Sequence, residues 1–243
     1  VSPVSMSLAA DPSSPAQPPA AVPAATAARL PHYLRALSDF GATVNSQDLA
    51  TAAGVDAATL RRDLSRLGSY GIRGVGYDTA VLSAEISRAL GAELDHRVAL
   101  FGLGNLGRAL AGYAGFAGRG FALVALFDVD PTVIGAALPT AAGPLQVHHT
   151  RDAATVIAAE RVTIGMIAAP DGDAQSIADL LISAGIKSVL SFTSGRLDVP
   201  ADVHVRQIDV GLEMQMLAFH QAHLLTPADP AEPTPQQQQR RSG

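Results

Sequence analysis

Residues 97–107 run Arg97-Val98-Ala99-Leu100-Phe101-Gly102-Leu103-Gly104-Asn105-Leu106-Gly107. A short apolar run of strand length empties into G-x-G-x-x-G, and a helical stretch, Arg108 to Tyr113, follows. A second apolar run, Phe121 to Phe127, ends at Asp128, about 20 residues on. Strand, glycine loop, helix, strand and acid in that order predict a dinucleotide-binding βαβ unit. Gly102 permits the tight turn, Gly104 lets the backbone approach a pyrophosphate, and Gly107 lets the helix pack on the strand. Asn105 and Leu106 present amides at the helix start. Asp128, with Val129 and Asp130 beside it, is placed to meet the ribose hydroxyls. A carboxylate there repels a 2′-phosphate, so NAD(H) is expected over NADP(H).

Downstream, strand-like and helical segments alternate: a strand at 162–168, a helix at 173–184, a strand at 188–192 and a short strand at 203–208. This alternation predicts a parallel sheet with right-handed crossovers. Loops at strand C-termini line the crevice of such a sheet, which places Pro170 there. The apolar stretch 210–225 predicts a terminal helix with Leu212, Met216, Phe219 and His220 on one face.

Upstream, residues 29–95 are helical and finely punctuated. Pro31 suits the first turn of a helix. Tyr33, Leu34, Leu37 and Phe40 give its apolar stripe, and Gly41 stops it. Ser46 is the N-cap expected for a second helix, with Leu49, Ala50 and Ala53 buried. Gly54-Val55 forms a tight turn, and Asp56 caps a third helix that ends at Gly68. Two short helices joined by a glycine turn predict a helix-turn-helix. With Leu60 set at zero and about 100° per residue, Leu64 and Leu67 lie within roughly 40° of it. Arg61, Arg62, Ser65 and Arg66 fall on the opposite face. Arginine forks onto guanine edges or clamps phosphates, so that face suits a major groove. Residues 69–77 then alternate glycine with β-formers around Arg73, which predicts a hairpin wing whose tip enters a minor groove. The DNA-facing candidates are Ser46, Arg61, Arg62, Ser65, Arg66 and Arg73. Residues 79–90 form a further helix with Val81, Leu82, Ile86, Ala89 and Leu90 on its apolar side.

The 243 residues therefore divide into an Ala/Pro-rich tail (1–28), a winged-helix domain (29–95), a dinucleotide domain (96–209), a terminal helix (210–225) and a second biased tail (226–243). Proline density in both tails predicts disorder. No charged segment precedes an apolar run as in a secretory signal, and no apolar stretch reaches the roughly 20 residues of a membrane span. A soluble cytoplasmic protein is expected. With no Cys, disulfides and thiol chemistry are excluded, and no H-E-x-x-H or similar pattern suggests a metal. An oxidoreductase would need an acid or base beside the nicotinamide. His32, His96, His148, His149, His204, His220 and His223 sit at no informative spacing, and there is no room for a substrate domain. A ligand-responsive transcription factor fits better than a small NAD-dependent oxidoreductase, or a scaffold without DNA contact.

The chain resembles the redox-sensing transcriptional repressor Rex family of bacteria over about residues 29–225. The resemblance is carried by Leu30-Pro31-x-Tyr33-Leu34-Arg35, Leu60-Arg61-Arg62-Asp63-Leu64-Ser65, and Gly68-Ser69-Tyr70-Gly71-x-Arg73-Gly74-Val75-Gly76-Tyr77. It continues through Gly102 to Gly107, Tyr113-Ala114-Gly115-Phe116, Phe127-Asp128-Val129-Asp130-Pro131 and Ile208-Asp209-Val210. It implies a homodimer on palindromic operator DNA, with the C-terminal helix swapped between the partner's two domains. It also implies repression of respiratory and fermentative genes when NAD⁺ is abundant, and release when NADH binds. Tyr113, and Asp209 of the partner subunit, are then the residues that sense the nicotinamide. Arg62 stands where many members have Lys, Arg66-Leu67 where an aromatic pair is usual, and Ala114 where Pro is usual. Val210 stands where some have Phe, and Thr193-Ser194-Gly195-Arg196 replaces an Ala-Pro run.

The net charge of −5 looks hostile to DNA, and residues 29–95 hold 7 Arg against 8 acids. Four of those Arg, however, fall within residues 61–73, against the single acid Asp63. The acidic background limits non-specific binding and leaves affinity to that cluster.

Overall fold

The structure, a computed structural model, describes residues 22–68, 71–72, 75–92 and 94–225. Arg73 and Gly74 at the expected wing tip, Ser69 and Tyr70 before it, residues 1–21 of the first biased tail and the whole of the second lie outside the described residues. The chain forms two compact units that meet in sequence at Asp95/His96.

The first unit begins with α1 (Ala24–Leu37), five residues earlier than the sequence suggests. Pro31 is therefore inside the helix rather than in its first turn, and Thr26, assigned above to the tail, is fully buried. After β1 (Thr43–Val44) come α2 (Ser46–Ala52) and α3 (Ala57–Leu67). Ser46 is not the cap of α2. Asn45 takes that place, its Oδ1 accepting from the amides of Gln47 and Asp48, both at 2.9 Å. β2 (Gly71–Ile72) and β3 (Gly76–Asp78) pair antiparallel, and β1 adds to β3 to give the sheet order β1-β3-β2. α4 (Thr79–Ala89) closes the unit, capped by Asp78. Leu30, Tyr33, Leu49, Leu60, Leu64, Leu82 and Ile86 form its core. Val81, expected on the apolar side of α4, is half exposed.

Asp63 explains the early start of α1. It lies on α3, only 1% exposed, and its carboxylate accepts from Thr26 Oγ1 (2.8 Å), Arg29 Nε (2.6 Å) and Nη2 (2.9 Å), and Tyr33 Oη (2.7 Å). Three turns of α1 are thus anchored to α3 through one acid, and the first turn is among them. Burial alone would push the Asp63 carboxyl up. The bonds from Arg29, Tyr33 and Thr26 overcome that and hold it down at about 2. Burial, reinforced by the bond to Asp63, pushes the Tyr33 phenol up to about 12.

The second unit is a sheet of order β10-β9-β8-β4-β5-β7-β6, parallel except for the β6–β7 pair. Its elements are β4 (His96–Phe101), α5 (Asn105–Ala111), β5 (Phe121–Asp128), β6 (Ala137–Leu138), β7 (Leu145–His149), α6 (Ala153–Ala159), β8 (Ile164–Ile167), α7 (Asp171–Ser183), β9 (Ser188–Ser191), β10 (His204–Gln207) and α8 (Val210–Leu225). Period-2 alternation sorts β4 onto two cores. Ala99 and Phe101 pack with α6 and α7, while Val98 and Leu100 pack with Leu103 and Ala111 on the other face. Phe101 stacks on Phe127 of the next strand, centroids 4.5 Å apart. β7 was not apparent in the sequence, because only Leu145 and Val147 in it are apolar. Pairing of Val147 with Leu126 makes it a strand. In the segment that departs from the Rex pattern, Thr193 is buried against the Ser191 hydroxyl (2.7 Å). The Ser194 amide donates to Asp171 at 3.1 Å, fastening the loop after β9 to the start of α7. α8 exposes Leu212, Met214, Met216, Leu217 and Phe219 by half or more. Among the described residues, no helix is long and apolar enough to cross a membrane.

Replacing Asp63 by Asn removes the counter-charge of the Arg29 guanidinium and turns one acceptor oxygen into a donor that faces other donors. Asp63→Asn is expected to cost about 3 kcal/mol of unfolding free energy at pH 7, measured by urea denaturation. The Asp63 carboxyl is depressed, so its contribution is complete above the unfolded value of about 4. It disappears as pH falls through about 2, and the gap between the two proteins should narrow over that window.

Candidate functional site

Two surfaces carry the residues singled out by the sequence, one on each unit. On the first, Asp56 starts α3 by accepting from the Thr59 amide (2.8 Å) and the Thr59 hydroxyl (2.6 Å). These bonds hold the Asp56 carboxyl below its ordinary range. With Leu60 and Leu64 buried, Arg61, Arg62, Ser65 and Arg66 are all exposed. Freed from capping, Ser46 accepts from Arg61 Nη1 at 2.9 Å, which joins the start of α2 to the exposed face of α3. The Ser65 hydroxyl donates back to the Arg62 carbonyl (2.8 Å). Arg66 turns toward α1 and donates to Thr26 Oγ1 at 2.8 Å. The acid counted against these arginines, Asp63, faces inward and is matched by Arg29. It therefore takes nothing from the charge of the exposed face.

On the second unit, the sheet order changes direction at β4: β5 lies on one side and β8 on the other. Loops leaving the C-terminal ends of these strands part there and leave a crevice. A cavity of about 1050 Å³ occupies it. Its walls include Gly102, Gly104, Asn105 and Leu106 from the glycine loop, Asp128, Val129 and Asp130 from the end of β5, and Pro170 before α7.

The glycines act as the sequence suggests. Gly102 has φ +89°, and a Cβ there would stand 2.7 Å from the Ala168 carbonyl oxygen. A Cβ on Gly107 would run into the Gly102 carbonyl, so only glycine lets α5 start this close to β4. A Cβ on Gly104 would meet nothing, because that position opens on the cavity. Asp128 holds the crevice edge in place. Its Oδ2 accepts from the Leu103 amide (2.6 Å), and its Oδ1 from the amides of Val129 (2.7 Å) and Asp130 (2.9 Å).

Gly107, Tyr113 and Asp209 do not line the cavity of the single chain. Gly107 is buried beneath the loop. Tyr113 follows α5, half exposed, edge-on to Phe116 at 5.0 Å, with Arg119 Nη1 3.4 Å from its phenol oxygen. Asp209 Oδ1 accepts from the Leu212 amide (3.1 Å) at the start of α8. The cavity also has walls not anticipated above: Arg108, Thr150, Arg151, Asp173 and Ile177. Arg108 directly follows the third glycine, a visible signal. Thr150 and Arg151 follow β7, the strand that the sequence pattern hides.

Two protein-family models match the chain, one on each unit. They are a putative DNA-binding protein N-terminus at residues 21–65 and a CoA-binding domain at residues 93–195. The redox-sensing transcriptional repressor Rex of Streptomyces griseus is 50% identical over 204 residues, covering 82% of this chain and 79% of the relative. The Rex of Desulfitobacterium hafniense is 39% identical over 203 residues, covering 82% and 95%. The chain belongs to the Rex family. Solved Rex structures share its fold. RSP in complex with β-NAD⁺ and operator DNA is 29% identical, with a TM-score of 0.77, covering 84% of this chain and 94% of that chain. RSP in complex with β-NADH is 28% identical, with a TM-score of 0.75, covering 84% and 96%. As in other Rex proteins, a DNA-binding domain precedes a Rossmann-like domain in the chain.

The glycine contacts make a sharp prediction. Gly107→Ala forces a collision with backbone and should lower stability by about 2 kcal/mol. Gly104→Ala should leave it within about 0.5 kcal/mol, because the new methyl enters open space. Thermal melting of the two variants, followed by circular dichroism, distinguishes them.

Proposed function

We propose that this protein is a repressor that reads the NADH/NAD⁺ ratio. It holds operator DNA when NAD⁺ prevails and leaves it when NADH binds, controlling respiratory and fermentative genes. The carrying observation is one chain of the Rex family that has both an arginine-bearing α3 face and a glycine-loop cavity ending at Asp128. Ser46, Arg61, Arg62, Ser65 and Arg66 face the DNA, joined by Arg73. The dinucleotide lies over Gly102, Gly104, Asn105, Leu106 and Gly107, its ribose on Asp128 with Val129 and Asp130, its nicotinamide end toward Pro170. The relatives are named as repressors, so the oxidoreductase reading is not retained.

The working unit is a homodimer on a palindromic operator, in the cytoplasm. The exposed apolar side chains of α8 support this, since such a surface requires a cover. Crossing to a second copy brings Asp209 of the partner subunit to Tyr113, the residues that sense the nicotinamide. NADH closes the dimer and moves the recognition helices off the half-site spacing. That is allostery in the sense of two sites and two dimer states that the ligand binds unequally.

A mobility shift on a palindromic operator, titrated with NADH at several NAD⁺ levels, tests the reading. Retardation that NADH abolishes is expected, and retardation indifferent to NADH would refute it. Arg61→Ala should weaken operator binding by about 10- to 100-fold and leave NADH affinity unchanged. For the ribose, Asp128→Ala should narrow the gap between NADH and NADPH in a fluorescence titration. An unchanged ratio would mean that another residue reads the 2′ position.

A further inference from the structure

The cavity walls carry three carboxylates, Asp128, Asp130 and Asp173, against two guanidiniums, Arg108 and Arg151. A dinucleotide brings a doubly charged pyrophosphate into this net negative site. Backbone amides of the glycine loop supply partial charge only, so a full positive charge beside that loop would strengthen the hold on the pyrophosphate.

The two arginines are not equivalent. Arg151 is three-quarters exposed and extends to within 3.9 Å of Asp152, after β7. Arg108 sits in α5, and its side chain folds back so that Nε donates to the Leu103 carbonyl at 2.9 Å. That bond fixes the guanidinium against the glycine loop itself. Its Nη groups have no partner among the described residues, which leaves donors available at the cavity wall. Asp130 is held below the ordinary carboxylate range, first by the Thr132 amide and hydroxyl and also by the nearby charge of Arg108. The guanidinium therefore sits against the glycine loop, on the wall of the same cavity that Asp130 lines.

We propose that Arg108 is the phosphate-reading residue of this site, contacting the pyrophosphate of the bound dinucleotide. The assignment rests on the reading of the cavity as the NAD(H) site. Arg108 lies just outside the glycine motif, and its fork is held by Leu103 for a planar, bidentate contact that a lysine reproduces only as a point charge.

The test uses the full chain and three ligands that share the adenosine half: NADH, ADP and adenosine, the latter two as competitors of NADH fluorescence. Arg108→Gln should weaken NADH and ADP alike by about 10- to 100-fold and leave adenosine within about 2-fold. Arg108→Lys should recover only part of the loss, because the charge returns without the fork. Adenosine weakened as much as ADP would mean that Arg108 merely shapes the loop, and overturns the assignment. So would unchanged ADP binding. Failure of the unaltered protein to bind NADH would remove the dinucleotide reading, and Arg108 with it; a loss specific to the variants removes Arg108 alone.

Discussion

One buried carboxylate organises the DNA-facing unit. Asp63 is placed on the helix that carries the exposed arginines, yet it faces the other way, into a set of donors spread over three turns of α1. A buried acid is tolerable only when every lone pair is matched, and here Thr26, Arg29 and Tyr33 supply four hydrogen bonds. The network fixes the rotation of α3 about its own axis, because turning the helix would drag the acid from its partners. Since Arg61, Arg62 and Ser65 share that helix, the inward acid decides where the outward arginines point. Thr26 also accepts from Arg66, so the same network reaches the surface.

The second unit uses the same device with different donors. Asp128 ends β5 and gathers the amides of Leu103, Val129 and Asp130. Here the carboxylate ties the glycine loop of one strand to the end of its neighbour. Side-chain donors suit Asp63, which must lock two helices. Backbone donors suit Asp128, which stands where the glycine loop meets the end of β5. Both acids are positioned by the protein alone, before any ligand is considered.

Much of this was legible in the sequence, for identifiable reasons. Glycine is demanded where backbones nearly touch, so Gly102 and Gly107 announced the loop, and the strand before it was continuous and apolar. The angular pattern of Leu60 and Leu64 announced the buried side of α3. Asp63 entered the sequence reading only as a charge set against the arginines, with no sign of its buried role. Its partners Thr26 and Arg29 lie over thirty residues away, where periodicity has no reach. The same distance hid the start of α1, which the sequence pattern set at Pro31. Asn45 and Ser46 are both good caps, and only the backbone conformation chooses between them. Thr150 and Arg151 escaped notice because β7 is held by pairing with β5 rather than by its own apolar content.

Among the described residues, α8 differs from the other helices in where its stability comes from. At 16 residues it is near the length at which a helix in water is marginal, and its apolar side chains stand exposed rather than packed on the sheet. Whatever covers it supplies much of the free energy that keeps it helical. With a second copy as the cover, folding of this segment and assembly become one equilibrium, governed by mass action. Dilution then acts as a denaturant for α8, and the amount of repressor in the cell sets how much of it is fully folded.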